Sequence, residues 1–285
     1  MRLKKCDEVV RYLRGTDYGG RLKDIPVGQG RTTTVVLSLY DALFSDYGTV
    51  MKSLPGRASQ LIERLLLRFD AENLKTLLRG IWHGLSPSEV RPLLYRLDGL
   101  SQLPVEKLLE AREVNGAVEL LTSTAFHTPL KQALGQFNRQ KRLFPLEIAA
   151  DMAAVEHVAA FLREGRGFDG KRARHLLGRW IDGINLCWMV RFRHFYGFSP
   201  EEAIHYTVSG GVRLDVPRLG TLARARDLPE FVNALPSPYG EVLRNAADWH
   251  QITPLFQWWL VARLHASFLE NPFQVGLQIS YLLLK

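Results

Sequence analysis

The residues best placed to do chemistry in this chain are few, and the first to weigh is a group of acids beside a histidine. Glu147, Asp151, Glu156 and His157 all fall between Phe144 and Glu164, an alanine-rich stretch closed by Gly165 and Gly167. On a helix, a Glu-x-x-His pair from such a stretch would set two metal ligands on one face. Here Glu156 and His157 are adjacent and point in different directions, so the stretch reads as a solvated helix face. The eight histidines are scattered, and neither a His-x-x-x-His pair nor a Glu-x-x-His pair on one helix is expected among them. Cys6 and Cys187 are far apart, each without a cysteine neighbour, which excludes a disulfide scaffold and the usual zinc spacings and fits a reducing compartment. The tract Val27-Gly28-Gln29-Gly30-Arg31-Thr32-Thr33 lacks the Gly-Lys-Ser/Thr ending and the buried strand that a phosphate loop needs. No Gly-x-Ser-x-Gly elbow occurs. The expectation is that the chain has no catalytic residues, no metal and no cofactor.

A different set of polar residues recurs in order. Arg68-Phe69-Asp70-Ala71-Glu72-Asn73-Leu74 is followed by Arg79 and then by Gly84-Leu85-Ser86-Pro87-Ser88-Glu89. At an offset of 112 to 113 residues come Arg179-Trp180-Ile181-Asp182-Gly183-Ile184-Asn185-Leu186, then Arg191, then Gly197-Phe198-Ser199-Pro200-Glu201-Glu202. The shared pattern is Asp-x-x-Asn-Leu, roughly ten residues of helix, then Gly-apolar-Ser-Pro-x-Glu, and it marks a duplication. Each copy continues with a proline-bearing turn into a helix, at Leu103-Pro104-Val105 and at Val216-Pro217-Arg218, and then with a short amphipathic helix, Gly116 to Leu121 and Leu228 to Leu235. Asp and Asn three apart share a helix face next to the apolar stripe, and a buried polar pair must be hydrogen-bonded. Backbone groups of the turn that brings the next helix back are the expected partners. Asp70, Asn73, Ser86, Asp182, Asn185 and Ser199 therefore form a structural signature of the repeat, not a reactive site.

The elements that carry these residues are helices. From Gln60 to Ile81 the apolar positions Leu61, Leu65, Leu67, Leu74, Leu77, Leu78 and Ile81 recur at three- and four-residue spacing. Ser86-Pro87-Ser88-Glu89 and Ser199-Pro200-Glu201-Glu202 are capping boxes with proline in the first turn. Phe144 to Glu164 reads as one long helix and Asp248 to Leu269 as another, broken at Pro272 and resumed through Leu284. The best strand candidate, Thr34 to Leu39, is short and runs on into a helical pattern. Tyr18 to Arg31 is the one extended loop-like tract. Trp188, Phe192 and Phe195 fit a core stripe with arginines at its edges, and Trp258 and Trp259 suit packing or an interface anchor.

Lys plus Arg exceed Asp plus Glu by eight, spread along the chain without a long run of like charge. Such a balance is compatible with nucleic acid, an anionic membrane surface or an acidic protein partner. The N-terminus lacks the apolar stretch of a signal peptide, and no run of ~20 apolar residues occurs, so a cytoplasmic location is expected.

The unit Arg-x-Asp-x-x-Asn-Leu with a following Leu-x-Arg, at Arg68 to Arg79 and more loosely at Arg179 to Arg191, resembles the C subunit of archaeal and bacterial V-type (A-type) ATP synthases, whose eukaryotic counterpart is the d subunit. Phe144-Pro145-Leu146-Glu147-Ile148-Ala149-Ala150-Asp151 is similar to the family's linker into its second repeat. Asn271-Pro272-Phe273-Gln274-Val275-Gly276-Leu277 and Tyr281-Leu282-Leu283-Leu284-Lys285 look like its closing segment. The resemblance runs from Leu61 to Lys285, while the first sixty residues match no pattern of the family, and the chain stops where the family usually continues. It implies an all-α, funnel-shaped assembly of three related helical subdomains around a central cavity. The subdomains would fall at 61–142, 143–247 and 248–285, the last completed by part of 1–60. It also implies a non-catalytic rotor part on the cytoplasmic face of the membrane. Its partners would be the central shaft subunits of the ATPase head and the membrane rotor ring, with anionic lipid headgroups nearby and no small-molecule substrate. A basic helical scaffold for nucleic acid or an unrelated protein is the other reading that composition leaves open.

Overall fold

A computed structural model describes residues 6–23, 25, 32–165, 167–269 and 274–285. The glycine-rich tract from Val27 to Arg31, and Asn271 to Phe273 of the closing segment, lie outside the described residues. The described chain is all-helical, with no strand. It divides into two compact units, residues 1–147 and 148–285.

The first unit holds α1 (Cys6–Leu13), α2 (Gly19–Leu22), α3 (Thr32–Ser53), α4 (Gly56–Trp82), α5 (Pro87–Val90), α6 (Val105–Glu110), α7 (Val114–Glu119), α8 (His127–Gln140) and the start of α9 (Phe144–Glu164). The β-branched stretch at Thr34 is the first turn of α3, because its helical face has aromatic partners to meet. Tyr40, Phe44 and Tyr47 lie along that face, with Phe44 4.9 Å from Phe69 of α4 and Tyr40 4.6 Å from Tyr95. Packing of this kind decides a segment of weak intrinsic preference. The stripe of α4 goes inward as its spacing requires: Leu61, Leu65, Leu67, Leu74, Leu77 and Leu78 are all buried. A smaller cluster of Val10, Leu22, Ile25 and Val35 ties the N-terminal helices to α3.

The second unit holds the rest of α9, then α10 (Gly167–Val190), α11 (Pro200–His205), α12 (Val216–Arg224), α13 (Leu228–Asn233), α14 (Tyr239–Leu243), α15 (Trp249–Ala266) and α16 (Val275–Leu284). Asp248 caps α15, its carboxylate accepting from the Gln251 amide at 3.2 Å. The helix gives way to a 3₁₀ turn at Ser267–Leu269.

The two copies of the repeat correspond element by element in their order: α4 and α10, α5 and α11, α6 and α12, α7 and α13. Both long helices close on a glycine that only a residue tolerant of left-handed backbone can supply, Gly84 at φ 67° and Gly197 at φ 69°. The copies differ at one point. Residues Arg191–Phe195 form a π-helical turn, with the Tyr196 amide donating five residues back to the Arg191 carbonyl at 2.9 Å. A π-turn is a one-residue insertion in an α-helix. This insertion is why the offset between copies is 112 from Asp70 and Asp182 to Arg79 and Arg191 but 113 at Gly84 and Gly197. It also corrects the expected core stripe. Trp188 and Phe192 are buried, but the turn carries Phe195 off the α-helical register and leaves it 46% exposed, against His250.

Candidate functional site

The aspartate and asparagine of each repeat are deeply enclosed polar groups. Asp182 and Asn185 are fully buried, and Asp70 and Asn73 are 1% and 3% exposed. Each asparagine grips one backbone residue twice. The Asn73 amide donates to the Tyr95 carbonyl at 2.9 Å, and the Tyr95 amide donates back to Asn73 Oδ1 at 2.8 Å. In the second copy Asn185 does the same to Val208, at 2.8 and 2.9 Å. Tyr95 and Val208 lie 22 and 23 residues downstream, a difference that the π-turn accounts for. Both lie beyond the short capped helix, not in the turn before it, so the asparagine fixes where the chain goes after α5 and after α11.

The aspartates bind the next few residues of the same segments. Asp70 accepts from the Ser101 hydroxyl at 2.5 Å and the Gln102 amide at 3.0 Å. Asp182 accepts from four donors: the amides of Val212, Arg213 and Leu214 at 3.1, 2.9 and 3.0 Å, and the Tyr239 hydroxyl at 2.7 Å. The fit is close. A Cβ added at Gly211 would stand 1.9 Å from Asp182 Oδ1, so only glycine lets the backbone come that near. Burial pushes the Asp182 carboxyl up against the pull of its donors, and it pushes the Tyr239 hydroxyl up as well, with the Asp182 charge adding to that. The phenol therefore stays protonated and donates.

The two serines cap helices. Glu202 accepts from the Ser199 amide at 2.8 Å while the Glu202 amide donates to Ser199 Oγ at 3.2 Å. At the first copy the Glu89 carboxylate takes both the Ser86 amide, at 2.8 Å, and its hydroxyl, at 2.6 Å. The expectation of no Glu-x-x-His pair is corrected at α11, where Glu202 and His205 have that spacing; the carboxylate is already held by its cap. Of the acids in α9, Glu147 holds Arg79 at 2.6 Å, and the His157 ring lies 2.9 Å from the Ala153 carbonyl. Trp259 packs on Tyr239 and Phe256, whereas its neighbour Trp258 is 73% exposed.

What this geometry can do is mechanical. A carboxylate saturated by backbone amides and shut from solvent has no free lone pair to offer a substrate, but it fixes a returning segment against a long helix. The copies hold with unequal strength, two donors on Asp70 against four on Asp182.

That inequality has a measurable consequence. Burial, opposed by Ser101 and Gln102, pushes the Asp70 carboxyl up to about 6 from 3.8. Between those values the folded protein binds a proton that the unfolded chain has released. The stability from that proton is complete below the lower value and is lost as pH rises through the upper one. Its full size is on the order of 3 kcal/mol. Unfolding free energies measured at pH 4 and at pH 6.5 should show this fall in the wild type and a much smaller one in Asp70→Asn; equal falls would refute it.

The family described as ATP synthase (C/AC39) subunit matches residues 1–285, which includes the sixty N-terminal residues whose motifs carry no resemblance to it. The chain is 28% identical over 241 residues to the C subunit of the A-type ATP synthase of Halorubrum lacusprofundi, covering 84% of this chain and 67% of that protein. It is 28% identical over 240 residues to the C subunit of the Haloferax volcanii enzyme, with the same coverage, and 28% identical over 253 residues to that of Methanocaldococcus jannaschii, covering 87% of this chain and 62% of the relative. The matched part thus spans about two thirds of the length of these relatives.

Proposed function

Because the chain belongs to the ATP synthase (C/AC39) subunit family, we propose that it is a non-catalytic central-stalk subunit of a rotary V/A-type ATPase. In this reading it is a socket. One side rests on the membrane rotor ring and the other receives the lower end of the shaft of the ATPase head, so that torque passes between them during ion transport.

The observation that carries the reading is the family match along the entire chain. Its support in the site is the way polar groups are used. The conspicuous buried acids clamp backbone, and each clamp joins a long helix to a segment some thirty residues on, which is what a stiff part under load requires. Among the described residues no helix is long and apolar enough to cross a membrane, as suits a part that would sit on the ring at the cytoplasmic face. Exposed Trp258 is the kind of rigid aromatic that anchors a protein partner. The excess of eight basic residues suits anionic headgroups beside the ring. The same reading takes 61–142 and 143–247 as two of three related subdomains around a cavity, and 248–285 as the start of the third.

Co-purification with the shaft and ring subunits of the same organism tests it. The full-length chain is expected to be retained by at least one of them. A folded chain that binds neither would sink the proposal.

A further inference from the structure

The second unit also carries a concave site that the anchoring network leaves unused. Three separate segments meet there: the end of α9, the second turn of α10, and the loop Gly210-Gly211-Val212. Together they line a cavity of about 380 Å³. Its basic members are Arg163, Lys171, Arg174 and His175, and among the described residues no carboxylate belongs to the lining.

Among the described residues, neither arginine is placed there by an ion pair. Arg174 spends its donors on main-chain carbonyls, that of Leu162 at 3.0 and 3.2 Å and that of Gly165 at 2.8 Å, so its position is fixed and, among the described residues, no acid neutralises its charge. Arg163 reaches the Ser209 hydroxyl, at 3.3 Å, which carries no charge. The buried acid that lies behind Gly211, Asp182, is enclosed by its own four donors. Like charges gathered in a concavity repel one another, and the field they focus is relieved by a counter-ion. The loop adds polar backbone at close range: neither the Gly210 nor the Gly211 amide has an acceptor among the described residues, and Gly210 sits at φ 111°, where a side chain would be strained.

We propose that this cavity is a binding site for a phosphate-bearing anion. The Arg163 guanidinium, which gives one donor to Ser209, has donors left for phosphate oxygens, Arg174 adds a charge fixed in place by the main-chain carbonyls it holds, Lys171 offers a mobile point charge, and the glycine loop lets a phosphate approach the main chain. The anion can be a free phosphate compound or a phosphate of a lipid headgroup.

The test uses the full chain and two probes, one soluble and one a membrane. Pyrophosphate titrated by calorimetry at moderate salt is expected to bind saturably. Arg163→Gln with Lys171→Gln should weaken it by about ten-fold or more, since both partners of the anion are charge-assisted donors. These two side chains are exposed, so the fold is retained, which circular dichroism checks. Arg218→Gln with Arg226→Gln removes the same charge elsewhere on the unit and should change the affinity little. Sedimentation with phosphatidylglycerol or phosphatidylcholine vesicles separates the sources. Retention on the former through Arg163 and Lys171 assigns the phosphate to a headgroup, and pyrophosphate binding without vesicle retention assigns it to solution. Binding of neither probe, or binding that both substitution pairs weaken alike, overturns the proposal.

Discussion

Asp182→Ala is expected to lower the unfolding free energy by about 4 kcal/mol, because it strands four donors at once, two buried and two part-buried. The amides of Val212, Arg213 and Leu214 and the Tyr239 hydroxyl would each lose their acceptor, the last two in a place that solvent does not reach. Each stranded donor costs about 1–3 kcal/mol, partly relieved by water entering the void. A loss of this size is a large share of the ~5–15 kcal/mol that holds an ordinary domain together. Gly211→Ala should reach the same result from the other side of the contact, since its Cβ would stand 1.9 Å from the carboxylate oxygen and either the loop or the acid must move. Asp70→Ala should cost roughly half as much, with two donors in place of four. Chemical denaturation with hydrogen exchange resolved over 208–214 would register the effect. A loss below about 1 kcal/mol for Asp182→Ala would mean that the anchor is not holding the segment.

Much of this was legible in the residues and some was not, for physical reasons. The helix from Phe144 to Glu164 has the bounds that its composition and closing glycines give, and the Ser-Pro-x-Glu boxes sit at α5 and α11 as their local chemistry demands. These are short-range features, settled within one or two turns. The repeat is legible because Asp, Asn and the cap recur together. What each Asp and Asn binds is not, since Tyr95, Gln102, Val208 and Leu214 contribute main-chain groups, and a backbone amide has no signature in a sequence. Tyr239 is 57 residues from Asp182 and has no spacing rule to betray it. The π-turn at Arg191–Phe195 left one trace, the slip from 112 to 113 in the offset, and reading the stretch at α-helical spacing misplaced Phe195. The basic cavity is assembled from positions 159–163, 171–175 and 210–212, so no single stretch of charge announces it.

The other large effect concerns work instead of stability. A socket that performs no chemistry should be dispensable for ATP hydrolysis and indispensable for turning that hydrolysis into an ion gradient. The ATPase head would carry its own catalytic sites, and the acids in the repeat signature of this chain are buried, held by two donors at Asp70 and four at Asp182. Loss of the chain would therefore uncouple the two ends of the motor. Loading the mutant Asp182→Ala chain back should restore less than the wild type, in proportion to how little of it folds.

The most direct measurement is ATP-driven membrane potential in vesicles from cells lacking this chain, read with a potential-sensitive dye so that the identity of the pumped ion does not matter, alongside ATP hydrolysis by the same preparation. Hydrolysis by the head is expected to persist, the ATP-driven potential to be abolished, and the purified wild-type chain to restore it. A full potential without the chain, or a loss of hydrolysis from heads that remain assembled, would contradict the socket role.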